Sequence, residues 1–471
     1  MSRQPDEAAA RPRQHYNVTL AILVFAGTAF ALQQTMIIPA LPVLRDEFDT
    51  TTGWATWLFT GFLLSASVAI PIFGKLGDQH GKERLLVISL GIFLLGSIGA
   101  VFAPNIGVLI ACRILQGAGG AVFPLSFSII KDEFPAEKVG VAVGAVSAVF
   151  AIGGSLGLVL SGVIVDSLSW RWLFIVGAVG VAIAVALVHL FVPESPIKTP
   201  SRVDVPGVAL LSAGLLALLL ALTEGDSWGW GSARILGLFA GAAAALVAWG
   251  FVELRVPEPM VDMRMLAQRA VLFANLSALI AGFALFGTFI IVPQLLQLPP
   301  ELAEHGFGVS ATKTGIYLLP GTVIGFVTGP LAGVMGNRLG AKWPLSLGML
   351  LGGAGLALLA LWHETEWQIV AGMFVLGAGL PMTFAGMAKV IVDAVRPSET
   401  GVATGMNTVM RTVGGVVGGQ AVAALLAIDT IGTTDIPAES AFVAAFSVGA
   451  ASAVVGGLVA LLITPRRRLR T

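Results

Sequence analysis

Charge is scarce in this chain. Only 11% of its 471 residues are Asp, Glu, Lys or Arg, against roughly a quarter in an ordinary soluble domain, while 56% are hydrophobic. That balance excludes a soluble globular protein and reads as a polytopic membrane protein. Basic and acidic residues cancel, 27 against 27, so neither nucleic acid nor an acidic surface is indicated as a partner. Cys112 is the only cysteine, which rules out an internal disulfide and a cysteine-based metal site. The five histidines, His15, His80, His189, His305 and His363, are scattered over termini, loops and opposite faces. An enzyme would need a Ser/His/Asp, paired-carboxylate or metal-ligand cluster at one depth, and the sequence offers none. No glycine-rich loop ends in Gly-Lys-Ser/Thr, so ATP is not expected as the energy source, and no cofactor or metal is expected either. Glycine is abundant instead: 58 residues, nearly twice the usual share of about 7%, as suits helices packed closely in lipid.

A membrane helix needs about 20 apolar residues, and that ruler finds about fourteen candidate spans, running from 18–42 to 441–463. Short alternating segments, the mark of a β-barrel, are missing. The polar first sixteen or so residues precede an apolar run too long for a signal peptide, which reads as an uncleaved first span. With both termini inside, only Arg45, Arg171, Arg234 and Lys313 fall on the outer side, and Arg113 and Arg411 lie within spans. Every other lysine and arginine is then internal, an asymmetry that predicts two cytoplasmic termini and an even number of spans. The basic run "RRRLR" at 466–470 anchors the C-terminus at the inner headgroups.

Two features stand out from this apolar background. The stretch "GVLIACRILQGAGGAVFPLSFSII" (107–130) carries a single charge, Arg113, whose insertion near mid-helix costs about 2.5–3.5 kcal/mol and therefore marks a functional position. Secondly, "GKLGDQHGKER" (74–84) after the second span is echoed by "GVMGNRLGAK" (333–342) after the tenth. Both read Gly-x-x-Gly-Asp/Asn-x-x-Gly followed by a base, and two matching loops imply two matching bundles.

These residues resemble the major facilitator superfamily: the loops resemble its loop signature, and "RILQGAGGA" its fourth-helix signature. "SWRWLF" (169–174), residues 203–230 and "MNTVMRTVGG" (406–415) are similar to the fourteen-helix drug:proton antiporter, or multidrug efflux, branch. The resemblance implies an all-α membrane protein with two six-helix bundles about a central cavity, plus two extra central helices. The chain then divides into a cytoplasmic tail (1–17), an N-terminal bundle (18–192), a linker with two additional spans (193–268), a C-terminal bundle (269–464) and a basic tail (465–471). The implied activity is export of amphipathic drug-like molecules, antibiotics among them, across the inner (cytoplasmic) membrane by alternating access in exchange for protons. An uptake or facilitative carrier for an organic anion or sugar, without proton coupling, is the alternative, and a membrane-embedded enzyme a remote one.

Two departures bear on coupling. An aspartate commonly occupies the first-helix position where Gln33 stands, and a glutamine cannot carry a proton on and off. In "AIGGSLGLVLSG" Leu158 replaces the proline of the antiporter signature. The expected substrate or coupling residues are Gln33, Gln34, Arg113, Gln116, Asn407 and Arg411, with Gln33 facing Arg113 and the two arginines bracketing an anionic group. Phe283, Phe286, Phe289, Tyr317, Met382 and Phe384 are candidate cavity walls. Gly74, Asp78, Gly81, Arg84, Gly333, Asn337, Arg338 and Gly340 form the expected gating loops. Stripes of small residues, Gly153 and Gly157 in the fifth span and Gly321, Gly325 and Gly329 in the tenth, are expected to meet across the bundle interface.

Overall fold

With no water in the bilayer to satisfy backbone amides, a spanning chain of this composition has to bond to itself within each segment, and it does so as helices. The computed structural model describes residues 15–195, 204–431 and 436–464; the side chains of Phe286 and Phe289 and the basic tail lie outside the described residues. Among the described residues there are fourteen long helices and, apart from one bridge between Thr430 and Pro437, no β structure. In chain order they are Tyr16–Glu47, Thr52–His80, Lys82–Val101, Ile106–Glu133, Ala136–Ser167, Arg171–Phe191, Val205–Trp228, Ala233–Glu253, Arg269–Gln297, Ala311–Leu339, Lys342–Leu361, Glu366–Ala394, Thr400–Ile428 and Glu439–Leu461. Twelve qualify as membrane spans by length and hydropathy; the fifth and ninth contribute shorter apolar stretches, Leu156–Ser167 and Arg269–Ala284.

Short polar residues start several helices by accepting an orphan N–H: Asn105 from Val108, Asp204 from Gly207, Ser310 from Lys313. Thr365 and Gln368 form a capping box. The fourth helix tightens to a 3₁₀ turn over Gly117–Ala121, where "GAGGA" is pressed on three sides. A Cβ on Gly117 would lie 2.7 Å from the Ala66 amide nitrogen and 2.8 Å from the Phe62 carbonyl oxygen. Only glycine admits so close a backbone crossing.

Helices one to six pack as one bundle, with the first against the fifth and sixth, the third against the sixth and the second against the fourth. Nine to fourteen form the second, in which the ninth packs on the thirteenth and fourteenth and the twelfth on the tenth and eleventh. The seventh and eighth form a hairpin of their own, and the seventh leans on the second and thirteenth. Lys75 ties the connection after this hairpin to the last turns of the second helix, donating to the Pro259 carbonyl at 2.9 Å.

The bundles meet chiefly where the fifth helix crosses the tenth and the second crosses the thirteenth. The glycine stripes divide their work differently from the expectation. Gly329 and Gly333 do press on the fifth helix, but on Gly144, Ala148, Gly140 and Val141. Gly321 and Gly325 instead turn to Met373, Gly377 and Pro381 of the twelfth helix, and Gly153 and Gly157 to Ala31, Leu32 and Thr35 of the first. The reason is helical geometry: a four-residue repeat drifts about 40° per step at 3.6 residues per turn, so one stripe serves two neighbours in succession.

Candidate functional site

Arg113 is fully buried, and its surroundings explain how the bundle tolerates it. Its Nε donates to the Leu58 carbonyl at 2.9 Å, its Nη1 to Gln116 Oε1 at 2.6 Å, and the guanidinium lies 4.5 Å over the Phe62 ring. Gln116 Nε2 donates to Ser97 Oγ at 2.9 Å, and the single Ser97 hydroxyl proton is shared between the Phe93 carbonyl at 2.9 Å and Gln33 Oε1 at 3.1 Å. Gly177 makes room for the Gln33 side chain, which a Cβ there would strike. Gln33 and Arg113 therefore do not face one another; Ser97 and Gln116 stand between them in a chain drawn from the first, third and fourth helices. Gln33 Nε2 and Arg113 Nη2 have no hydrogen-bond partner among the described residues. The network sits inside the first bundle, held by helix packing, and Gln34 beside it is partly buried.

At the end of the molecule carrying the two signature loops, the bundles interlock. Gly74 lies against Gly401, where a Cβ would stand 2.6 Å from the Gly401 carbonyl oxygen. Asp78 accepts from the Gly401 amide at 3.1 and 3.3 Å and from Val402 at 3.3 Å, placing a carboxylate on the N-terminus of the thirteenth helix. Lys82, wholly buried, lies 3.8 Å from Asp78 and 2.5 Å from Asp132, and donates to the Pro397 carbonyl at 3.3 Å. Lys131 reaches the Val395 carbonyl at 2.6 Å. The second loop repeats the design: Gly333 lies against Gly140, and Asn337 Nδ2 donates to the Glu137 carbonyl at 2.8 Å. Aspartate in the first copy and asparagine in the second turn an acceptor into a donor. Gly81 (φ 119°) and Gly340 (φ 99°) supply the left-handed turns that end the two helices, and Arg84 and Arg338 are exposed.

Between the bundles lies a small cavity of about 20 Å³, with room for about one water. Phe123 and Phe127 of the fourth helix and Ser147 of the fifth line one side; Phe384 of the twelfth and Thr404, Asn407 and Arg411 of the thirteenth line the other. The Arg411 guanidinium packs 4.5 Å over the Phe384 ring. Asn407 Nδ2 donates to Ala274 O at 3.2 Å and Asn275 Oδ1 at 3.0 Å, joining the thirteenth helix to the ninth. The cavity thus gathers Asn407 and Arg411 but not Gln33, Arg113 or Gln116, so the two arginines do not bracket a common point. Of the candidate walls Phe384 is in place. Phe283 lines a separate cavity with Gly287 and Thr288, and Tyr317 bonds Glu366. Met382 packs with Ala332 and Ala385. Phe123, Phe127 and Ser147 escaped the sequence reading because nothing local separates a cavity-facing phenylalanine from a lipid-facing one.

A duplicated bundle, a latch at each signature loop and a cavity at the seam agree with the family comparison. The family model of the Major Facilitator Superfamily matches residues 23–298 and 274–471. The chain belongs to that superfamily. It is 28% identical over 391 residues to the Tetracenomycin C resistance and export protein of Streptomyces glaucescens, covering 82% of this chain and 71% of that one. It is 29% identical over 386 residues to the multidrug transporter protein MdtP of Bacillus subtilis, covering 81% and 70%. A crystal structure of the human organic anion transporter MFSD10 (TETRAN) superimposes with a TM-score of 0.68, covering 95% of this chain and 100% of that one; at 13% identity this likeness bears on the fold alone.

Proposed function

We propose that this facilitator exports amphipathic, drug-like molecules by alternating access, from the cytoplasmic to the outer face, in exchange for protons. The observation that carries the reading is the pair of glycine-lined latches at one end of a seam whose middle holds an aromatic cavity with one cation. The charge asymmetry of the loops supports a cytoplasmic latched end; on that reading the conformation described is sealed inside and the two bundles rock apart to admit substrate. Names of the relatives support drug and antibiotic export as the direction and class.

Asp78 is the proton-binding group we favour, because among the described residues no carboxylate lines the cavity and Gln33 stands where the family places one. Neutralising Asp78 weakens its hold on the thirteenth helix and so opens the inner latch. The test is flux in proteoliposomes under an imposed pH gradient, with internal pH read as a lipophilic dye is added. Substrate-dependent pH change supports antiport; flux indifferent to the gradient overturns it and favours the facilitative carrier, the reading that Gln33 and the acid-free cavity recommend.

A further inference from the structure

We propose that Asp204 and Glu253, at the foot of the hairpin made by the seventh and eighth helices, form a carboxyl pair that holds one proton between them at neutral pH. This proton site stands apart from Asp78, and it depends neither on the direction of transport nor on the substrate.

Asp204 is 7% exposed and Glu253 3%. Asp204 caps the seventh helix, its Oδ1 accepting from the Gly207 amide at 2.9 Å. Its other oxygen, Oδ2, is buried and has no hydrogen-bond partner among the described residues. Glu253 ends the eighth helix; its Oε1 accepts from Trp249 Nε1 at 2.8 Å and its Oε2 from the Val261 amide at 3.1 Å. Gly207 reveals where the two carboxyls point: a Cβ there would strike Asp204 Oδ2 and stand 2.8 Å from Glu253 Oε1. Both oxygens therefore converge on one spot that only a glycine leaves open. Ionised carboxylates can only accept hydrogen bonds, and two buried side by side repel. One proton removes both faults: it supplies the donor that Asp204 Oδ2 lacks, and it turns the repulsion into a charge-assisted hydrogen bond. The proton belongs to the pair as a unit rather than to either residue.

Charge balance agrees. Half-buried Lys75 of the second helix, which donates to the Pro259 carbonyl, is within electrostatic reach of Glu253. Two carboxylates and one ammonium leave one negative charge in a poorly solvated corner, and a single proton cancels it. The neighbouring charges are engaged elsewhere: Arg255 over the Phe251 ring, Arg396 with Glu399 before the thirteenth helix, and Asp262 on the Arg264 amide, while Glu258 lies on the same connection. Glu253 holds Val261 and Lys75 holds Pro259, so losing the proton should loosen the joint between hairpin and bundles.

The experiment is infrared spectroscopy of the full-length purified chain in lipid nanodiscs, reading the C=O stretch of protonated carboxyl groups at neutral pH against the same sample made alkaline. The wild type is expected to show a protonated-carboxyl band at neutral pH. Its area should fall by one carboxyl group in Glu253→Gln and equally in Asp204→Asn, because each amide can donate to the carboxylate that remains. The same part of the band should survive in Asp78→Asn, which separates this site from the latch. Asp204→Ser, which keeps a helix-capping oxygen, takes the place of the amide variants where they do not fold. A wild type without the band overturns the proposal, as does a band undiminished in a folded variant at either position, or one that only Asp78→Asn removes.

Discussion

Replacing Asp78 by asparagine tests whether the inner latch is electrostatic. The carboxylate accepts from two amides at the first turn of the thirteenth helix and sits 3.8 Å from the buried Lys82. Asparagine keeps one acceptor oxygen but removes the charge, and charge-assisted hydrogen bonds are about twice as strong as neutral ones. An anion at a helix N-terminus adds about 0.3–2 kcal/mol. Together the substitution is worth about 1.5 kcal/mol against the closed state, because these contacts exist only while the bundles touch. Lys82 keeps Asp132, so the residual cation is not stranded. At about 1.4 kcal/mol per factor of ten, the inward-open population should rise about tenfold. Spin labels at Arg84 and Arg396, both exposed at the latched end of opposite bundles, in a Cys112→Ser background, read that population as the weight of the longer distance. An unchanged distance distribution in Asp78→Asn refutes the electrostatic latch and leaves glycine packing as its sole cause.

Four further outcomes follow from the structure. Gly333→Val places a side chain within 2.5 Å of the Gly140 carbonyl carbon and 2.8 Å of Val141 Cα, so dye efflux by membrane-inserted protein should fall at least about tenfold. Gly91→Ala, whose Cβ meets open space, should stay within about twofold of the wild type. Arg113→Ala strands Gln116 Oε1 and leaves a hole over Phe62, a loss of about 3 kcal/mol or more that should lower the unfolding temperature by several degrees. An unaltered unfolding temperature would show that the network is not structural. His305 lies outside the spans, against Phe442, and burial depresses its imidazole below the usual range, with Glu439 opposing. Its folded state prefers the neutral ring, so its contribution to stability is complete above the ordinary histidine value and is lost as pH falls below it. His305→Gln should therefore flatten the decline in unfolding temperature between about pH 7.5 and 5.5 that the wild type shows.

The helices were legible in the sequence because the bilayer imposes one length and one composition on each, and the paired loops were legible because glycine and Asp/Asn recur at fixed spacing. What the chain does not announce is direction around a helix axis. Arg113 and Arg411 look alike in sequence, each a lone charge deep in an apolar run. Folding points one into its own bundle, where Leu58, Gln116 and Phe62 absorb it, and the other onto the seam. The difference lies in the partners: Gln116 is three residues from Arg113 on the same helix, within reach of its guanidinium. At the matching spacing from Arg411, Asn407 turns its amide to the ninth helix, donating to Ala274 O and Asn275 Oδ1, and Thr408 donates to the Thr404 carbonyl.

The same logic assigns the two signature residues different work. Asp78 meets the open end of a helix, where amides project and charge is favoured, while Asn337 meets a carbonyl, which an aspartate would repel. A pseudo-symmetric fold thus reaches an asymmetric chemistry by one atom's exchange at matching positions. Of the two signature residues only Asp78 can take up a proton. On the coupling proposed above, rocking is triggered at Asp78 and followed at Asn337, and Asn337→Asp, which sets a carboxylate against the Glu137 carbonyl, should loosen the second latch in a pH-dependent way that the natural residue avoids.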